Sequence, residues 1–281
     1  MNGDSMRFIE TDLELGLGQE ICLLQASDTH LTRADGRDGA RKVALGQSRK
    51  RGFPNNEQNV LTIEETVART GELLVYTGDL CDFVSRANLE RARLFAERTG
   101  CFFAAGNHEF SRYVGEAWED EAYRNKNLGR VQACFGNDIR FAAKTVGSVD
   151  LVVVDNSYYR FDEPQLEALR AEADKGLPIL LFLHCPLHEQ SIYDYMMTTL
   201  KRECAYLVDT PEALMASYSD YRYRQQKADA VTHETVGFIR STPAFKAVFA
   251  GHMHFDFEGM ITDRLPQYVT GMDTIRRIRL R

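Results

Sequence analysis

Six short runs of aliphatic, β-branched or aromatic residues recur along the chain: "ICLLQAS" from Ile21, "LLVYT" from Leu73, "CFFAA" from Cys101, "LVVVD" from Leu151, "PILLFL" from Pro178 and "KAVFA" from Lys246. Each is too short for a buried helix and is bounded by Gly, Asp, Asn or Pro, so the pattern predicts strands covered on both faces. Helical segments alternate with them. Residues 162 to 175 predict a helix that starts at Asp162, a good N-cap, tolerates Pro164 in its first turn, and stops at Gly176. Residues 88 to 100 predict another, closed by Gly100. Two hairpins are expected around this pattern, one turning at residues 16 to 19 and one at Gly147 and Ser148. A purely parallel sheet would not need them, so the expectation is an α/β fold of the α+β type, with two mixed sheets packed together and helices outside. From residue 189 to 230 the strand signal stops. That segment holds six of the 12 tyrosines and is expected as an insertion over one end of the core.

Length and composition narrow this only slightly. A chain of 281 residues fits one large domain, and no repeat or linker divides it. A net charge of -7 argues against nucleic acid and membrane surfaces as partners, because both are polyanionic and reward a basic face. One segment runs against this balance. Residues 33 to 51 carry Arg33, Arg37, Arg41, Lys42, Arg49, Lys50 and Arg51 against only Asp35 and Asp38, and are expected as a basic loop. The 6 cysteines form no C-x-x-C pair, which suits a reducing compartment. The start "MNGDSMRFIE" has no apolar signal core, and no apolar run approaches the ~18 residues of a membrane span, so a cytoplasmic protein is expected.

The residues that follow the strands carry the chemistry. After "ICLLQAS" come Asp28 and His30; after "LLVYT", Gly78, Asp79 and Asp82; after "CFFAA", Gly106, Asn107, His108 and Glu109. Asn156 follows "LVVVD", His184 ends "PILLFL", and Gly251, His252 and His254 follow "KAVFA". Any one of these alone reads as a turn former or a structural histidine. Together they place five of the 7 histidines at the carboxyl ends of strands, where open α/β sheets bind ligands. Carboxylate, imidazole and one amide oxygen form a mixed set suited to Mn, Fe or Zn rather than to Mg or Ca. Seven candidates exceed the needs of one tetrahedral ion and fit two ions about 3.5 to 4 Å apart.

In order, "SDTH", "GDLCD", "GNHE", a strand-end His and "GHMH" resemble the five blocks of the calcineurin-like metallophosphoesterases. The resemblance implies a four-layer αββα sandwich of two mixed β-sheets flanked by helices, with a dinuclear metal site at the strand ends. It assigns Asp28, His30, Asp79 and His254 to one ion, and Asp79, Asn107, His184 and His252 to the other, with Asp79 bridging. By the same resemblance, water held between the ions attacks phosphorus in line, His108 is the general acid for the leaving alkoxide, and Asp82 orients it. Many relatives carry Arg after the second Asp, where this chain has Phe83; the basic segment either overhangs the site and supplies a substitute or is a solvated loop.

The favoured expectation is a phosphodiesterase acting on a small phosphorylated substrate such as a cyclic nucleotide. The alternatives are a phosphomonoesterase or protein phosphatase, and, last, a non-catalytic scaffold, which the full set of ligand positions argues against. His188 and His233 fit no block, and Pro186 between His184 and His188 speaks against a helical metal pair. Residues two apart on an extended strand are about 6.6 Å apart, from a rise of roughly 3.3 Å per residue. His252 and His254 are therefore expected to serve different ions, with Met253 turned into packing.

Overall fold

The computed structural model describes residues 6–114 and 121–281. The first five residues, part of the start read above as lacking a signal core, lie outside the described residues. The strands are β1 (Arg7–Leu13), β2 (Ile21–Ala26), β3 (Leu73–Tyr76), β4 (Phe102–Phe103), β5 (Phe141–Val146), β6 (Val149–Val154), β7 (Ile179–Phe182), β8 (Phe245–Ala250), β9 (Phe257–Thr262), β10 (Leu265–Val269) and β11 (Thr274–Leu280). The helices are α1 (Ala40–Arg49), α2 (Asn56–Thr70), α3 (Arg86–Thr99), α4 (Glu121–Gln132), α5 (Glu163–Ala173), α6 (Gln190–Asp194), α7 (Asp220–Gln226) and α8 (Ala230–Ser241). All six apolar runs contain strands. The predicted helix at 162 is α5, where Asp162 and Gln165 cap each other reciprocally.

Two mixed sheets result, ordered β1-β11-β2-β3-β4 and β5-β6-β7-β8-β10-β9. Strand alternation builds the layers. Leu23 and Val75 of the first sheet meet Leu151, Val153, Leu180 and Phe182 of the second in a core between the sheets. Their neighbours Leu24, Leu74 and Tyr76 point the other way, under Val60 and Ile63 of α2 and Phe95 of α3. On the far side Val152 and Leu181 pack under Leu169 of α5 and Val236 of α8. Both faces of the central strands are covered, which is why those strands read as continuous apolar runs, and the architecture is the four-layer αββα sandwich. No helix among the described residues is long and apolar enough to cross a membrane.

The two expected hairpins have different outcomes. β5 and β6 pair antiparallel around Gly147, as their turn predicts. β1 and β2 do not pair: β11 lies between them, parallel to β1 and antiparallel to β2. Charge favours this order. Arg279 of β11 reaches Asp12 at 2.7 Å and Glu10 at 3.0 Å on β1, so the basic terminal strand fits the acidic edge strand better than β2 would. Residues 33 to 51, expected as a loop, instead hold a 3-10 turn at Gly36–Asp38 and helix α1. Residues 189 to 230 contain α6, a π turn at Tyr195–Thr199, a 3-10 turn at Glu212–Met215 and α7.

Candidate metal centre

β2, β3 and β4 run parallel in one sheet, and β7 and β8 run parallel in the other, so their carboxyl ends open on one edge of the sandwich. The backbone there is unusual. Asp28, His30, Asp79, His252 and His254 all have positive φ, between 49° and 70°, a region that costs a residue with a Cβ roughly 1 kcal/mol or more. Five of the seven predicted ligands thus sit in conformations that turns alone would give to glycine, and each turn throws its side chain inward.

The donor atoms fall into two groups that share one oxygen. In the first, His30 Nε2 lies 2.9 Å from His254 Nε2, 3.8 Å from Asp28 Oδ1 and 3.7 Å from Asp79 Oδ2. In the second, His184 Nε2 lies 3.2 Å from Asp79 Oδ2, and 3.1 Å from both Asn107 Oδ1 and His252 Nδ1. Four donors around an ion at bonds of about 2.1 Å stand roughly 3.4 Å apart in a tetrahedron, so both groups have the spacing of a coordination shell. The Cys185 thiol also falls within 4.8 Å of the His184 and His252 nitrogens.

The outer atoms of these side chains are occupied in a way that turns the inner ones toward the centre. Asp82 Oδ1 lies 3.0 Å from His30 Nδ1, His184 Nδ1 donates to the Thr77 carbonyl at 2.7 Å, and His252 Nε2 lies 2.7 Å from the Tyr159 hydroxyl. Such partners fix the tautomer and the aim of a metal-binding imidazole. Asp28 Oδ2 accepts the backbone N–H of His252 at 2.8 Å, while its Oδ1 is buried with no hydrogen-bond partner. A buried carboxylate oxygen left unpaired is costly, and a cation in the first group would satisfy it. The residues present therefore fit two ions.

Electrostatics agree. Burial pushes the Asp28 carboxyl up, against the pull of His184. Burial also opposes charge on Asp79, but the His184 and His108 imidazoles overcome it and hold Asp79 well below the usual carboxylate range. Burial disfavours the imidazolium forms of His184 and His108 too, yet Asp79 outweighs it and raises them to about 10 and about 9, with Asp28 adding to His184 and Asp82 to His108. Burial and the nearby His30 depress His254 to about 3. A cluster that draws a proton onto His184, one of the predicted ligands, is one that cations would neutralise while displacing that proton.

All nine predicted site residues come together here. His108 Nδ1 donates to the Asp82 carbonyl at 2.9 Å and lies 3.2 Å from its carboxylate. A cleft of about 260 Å³ opens above, lined by Asp79, Asn107, His108, His252 and His254 and walled by Arg202 and Tyr206 from the 189–230 segment. Met253, expected in packing, is buried and also touches this cleft. His188 and His233 lie elsewhere; His233 pairs with Asp209 at 3.0 Å. Asn156 is not a donor to the site. Its Oδ1 accepts the backbone N–H groups of His184 and Cys185 at 3.1 and 3.0 Å, shaping the turn that presents His184.

Several supporting residues escape sequence reasoning. Glu109 accepts the backbone N–H groups of Asp79, Cys81 and Gly106, tying two strand ends together; burial and Asp79 raise its pKa to about 7. Tyr159 and Phe53 reach the centre from distant turns and Arg49 from α1; Glu109, adjacent to the "GNH" stretch, and Arg49, within the basic segment, carried a signal in their positions.

The model of the calcineurin-like phosphoesterase family matches residues 23–256. Among solved structures, a dimetal phosphatase from Danio rerio superposes with a TM-score of 0.52 at 14% identity, covering 90% of this chain and 88% of that one. A purple acid phosphatase from yellow lupin gives 0.51 at 13% identity, over 92% of this chain and 45% of that one. A protein described as a putative 5'-nucleotidase from Staphylococcus aureus gives 0.47 at 12% identity over 93% of this chain, which spans only 51% of that protein's length. No curated protein matches the chain in sequence. With the family's pattern covering most of its length, and the αββα sandwich and its paired donor groups in place, the chain belongs to the calcineurin-like phosphoesterases, a family of metal-dependent phosphoric ester hydrolases.

Proposed function

We propose that this chain is a phosphodiesterase for a small diester, with Asp28, His30, Asp79 and His254 holding one transition ion and Asp79, Asn107, His184 and His252 holding the other. The observation that carries the proposal is the pair of donor groups sharing Asp79 Oδ2 beneath a cleft that His108 also lines. When bound, the two ions, Mn, Fe or Zn, supply Lewis acidity toward the phosphoryl oxygens and lower the pKa of water. The chain's own residues do the rest. Asn107 and the four imidazoles hold the cluster in a buried pocket, and the Gly78 and Gly106 backbones let the strand ends approach. His108 delivers a proton to the departing oxygen, and Asp82 keeps that imidazole aimed into the cleft.

The cleft supports a small diester over a large or highly charged substrate. Phe83 is fully buried and Arg49 is engaged by Asp82, so Arg202 is the one guanidinium among the cleft-lining residues. A monoanionic diester needs less positive charge than a dianionic monoester. Met196, Met253 and Phe255 give one wall an apolar surface for a second ester substituent. The 189–230 segment contributes Met196, Arg202 and Tyr206 to the cleft, in keeping with an insertion that roofs a single domain. The six free cysteines support a reducing, cytoplasmic setting. The test compares a nitrophenyl phosphodiester with the matching monoester after Mn reconstitution. Faster turnover of the diester is the expected result; turnover of the monoester alone overturns the diesterase reading.

A further inference from the structure

We infer that Arg49, the last residue of α1, is a positioning residue for the centre and acts through Asp82. The Asp82 carboxylate is fully buried and serves three groups at once. Arg49 Nε donates to its Oδ2 at 2.7 Å and Nη2 to its Oδ1 at 2.9 Å, while the same Oδ1 lies 3.0 Å from His30 Nδ1 and 3.2 Å from His108 Nδ1. A carboxylate is free to swing about its terminal torsion, which has broad minima. Two parallel hydrogen bonds from a planar guanidinium remove that freedom, because they define the plane of the carboxylate. With the plane set, Oδ1 faces both imidazoles, one in the metal cluster and one at the proton-donor position.

The helix that carries Arg49 is built to hold it there. α1 rests on the loop after His30 at Gly46, where an added Cβ would stand 2.5 Å from the Thr32 carbonyl oxygen and 3.6 Å from the buried Phe83 ring. Only a glycine allows that approach. Asn56, at the start of α2, donates to the His30 carbonyl at 2.8 Å and fixes the far side of the same loop. The turn after α1 adds a second grip: Phe53 stacks on the His30 ring at 4.3 Å and 13°, and the Arg49 guanidinium lies 5.0 Å from the Phe53 ring. His30 is thus held at its edge by Asp82 and across its face by Phe53, and Arg49 touches both holders. Two of the three guanidinium nitrogens are committed to Asp82, so the arrangement favours support of Asp82 over direct capture of a phosphoryl group.

The inference rests on the proposed role of His108 for one of its two consequences, and the experiment separates them. Wild type, Arg49→Ala, Arg49→Lys and His108→Ala are compared on phosphodiesters whose leaving groups run from nitrophenol to simple alcohols, and each is titrated with Mn. Arg49→Ala is expected to lose about 10- to 100-fold in kcat on the alkyl esters, to lose markedly less on the nitrophenyl ester at saturating Mn, and to bind one of the two ions about 10-fold or more weakly. Added guanidinium ion recovers part of the loss, and Arg49→Lys, which cannot form the parallel pair, recovers less. A loss equal across all leaving groups and carried by KM overturns the inference in favour of direct phosphoryl contact. If Arg49→Ala does not fold, Arg49→Lys decides: unchanged rates and unchanged metal affinity overturn the inference. If His108→Ala itself is indifferent to the leaving group, the proton-donor reading fails, and the weakened single ion remains the measure of Arg49.

Discussion

The closest approach to backbone in the centre is between Gly106 and Asp79, and it yields the sharpest prediction. A Cβ built on Gly106 would stand 2.4 Å from the backbone nitrogen of Asp79 and 2.2 Å from its Oδ1, whereas real Cβ atoms essentially never come within 3.0 Å. The strand ends would have to separate by at least 3.0 - 2.4 = 0.6 Å. The side-chain contact could relax by rotation, but the backbone contact cannot, since Glu109 holds the Asp79 and Gly106 N–H groups at 2.8 Å each. Overpacking of this kind costs about 1 to 3 kcal/mol. At about 2 to 4 °C per kcal/mol for a domain of this size, the melting midpoint of Gly106→Ala should fall by roughly 2 to 12 °C.

The effect on rate should be larger than the effect on stability. Asp79 Oδ2 belongs to both donor groups, so a shift approaching 1 Å misplaces both, and misplacement on that scale costs about 100-fold. The assay is Mn-dependent hydrolysis of a nitrophenyl diester beside scanning calorimetry, with Gly129→Ala as control. Gly129 lies within α4 and an added Cβ there meets nothing within 4 Å, so alanine should be neutral or stabilise by about 0.5 to 1 kcal/mol. Gly106→Ala with both rate and midpoint within error of wild type would falsify the reasoning.

Three further outcomes are expected. His254→Ala and His252→Ala should each weaken one different ion, so that metal analysis finds about one ion per chain in either single variant and none in the double; loss of the same ion in both refutes the division. Chelation should abolish activity and lower the melting midpoint, because it leaves Asp28 Oδ1 buried and unpaired; Mn should restore both, and an unchanged midpoint argues against a structural share for the ions. His188 should make stability pH-dependent: burial and Arg240 depress its pKa from 6.5 to about 4, so below pH 6.5 the unfolded chain binds the proton that the folded chain refuses. Stability from this group is full above pH 6.5 and is lost as pH falls toward 4; in metal-free protein, His188→Gln should flatten the urea midpoint across that window, and a slope equal to wild type removes the assignment.

Much of this centre is legible in one dimension because its chemistry is local to the strands. Asp28, Asp79, Asn107, His184 and His252 each follow an apolar run by a few residues, and parallel strands align their carboxyl ends on one edge. The separation of His252 and His254 does not follow from strand spacing, since both lie beyond the end of β8 with positive φ; the folded turn sets His252 beside His184 and His254 beside His30. The alternation within β2 and β6 decides which side chains enter the core between the sheets. These are matters of period and chain order, and chain order is in the sequence.

What the sequence withheld is every pairing across distance. Nothing local distinguishes β11 as the neighbour of β1 from β2 as its hairpin partner, because the choice lies in charges more than 260 residues apart, Asp12 against Arg279. Arg49 and Asp82 are separated by 33 residues, and Tyr159 and His252 by 93; each pair forms because a helix docks or a turn closes where the two sheets meet. The helix at 40 to 49 reads as a basic loop until Gly46 is seen seated on Thr32. The left-handed backbone at Asp28, His30 and Asp79 is equally hidden, since Asp and His visit it more often than most residues but rarely, and the surrounding contacts are what sustain it. Short-range pattern determined which residues carry the chemistry; the packing of sheets and helices decided how each is aimed, because aim depends on partners that the chain brings together only when folded.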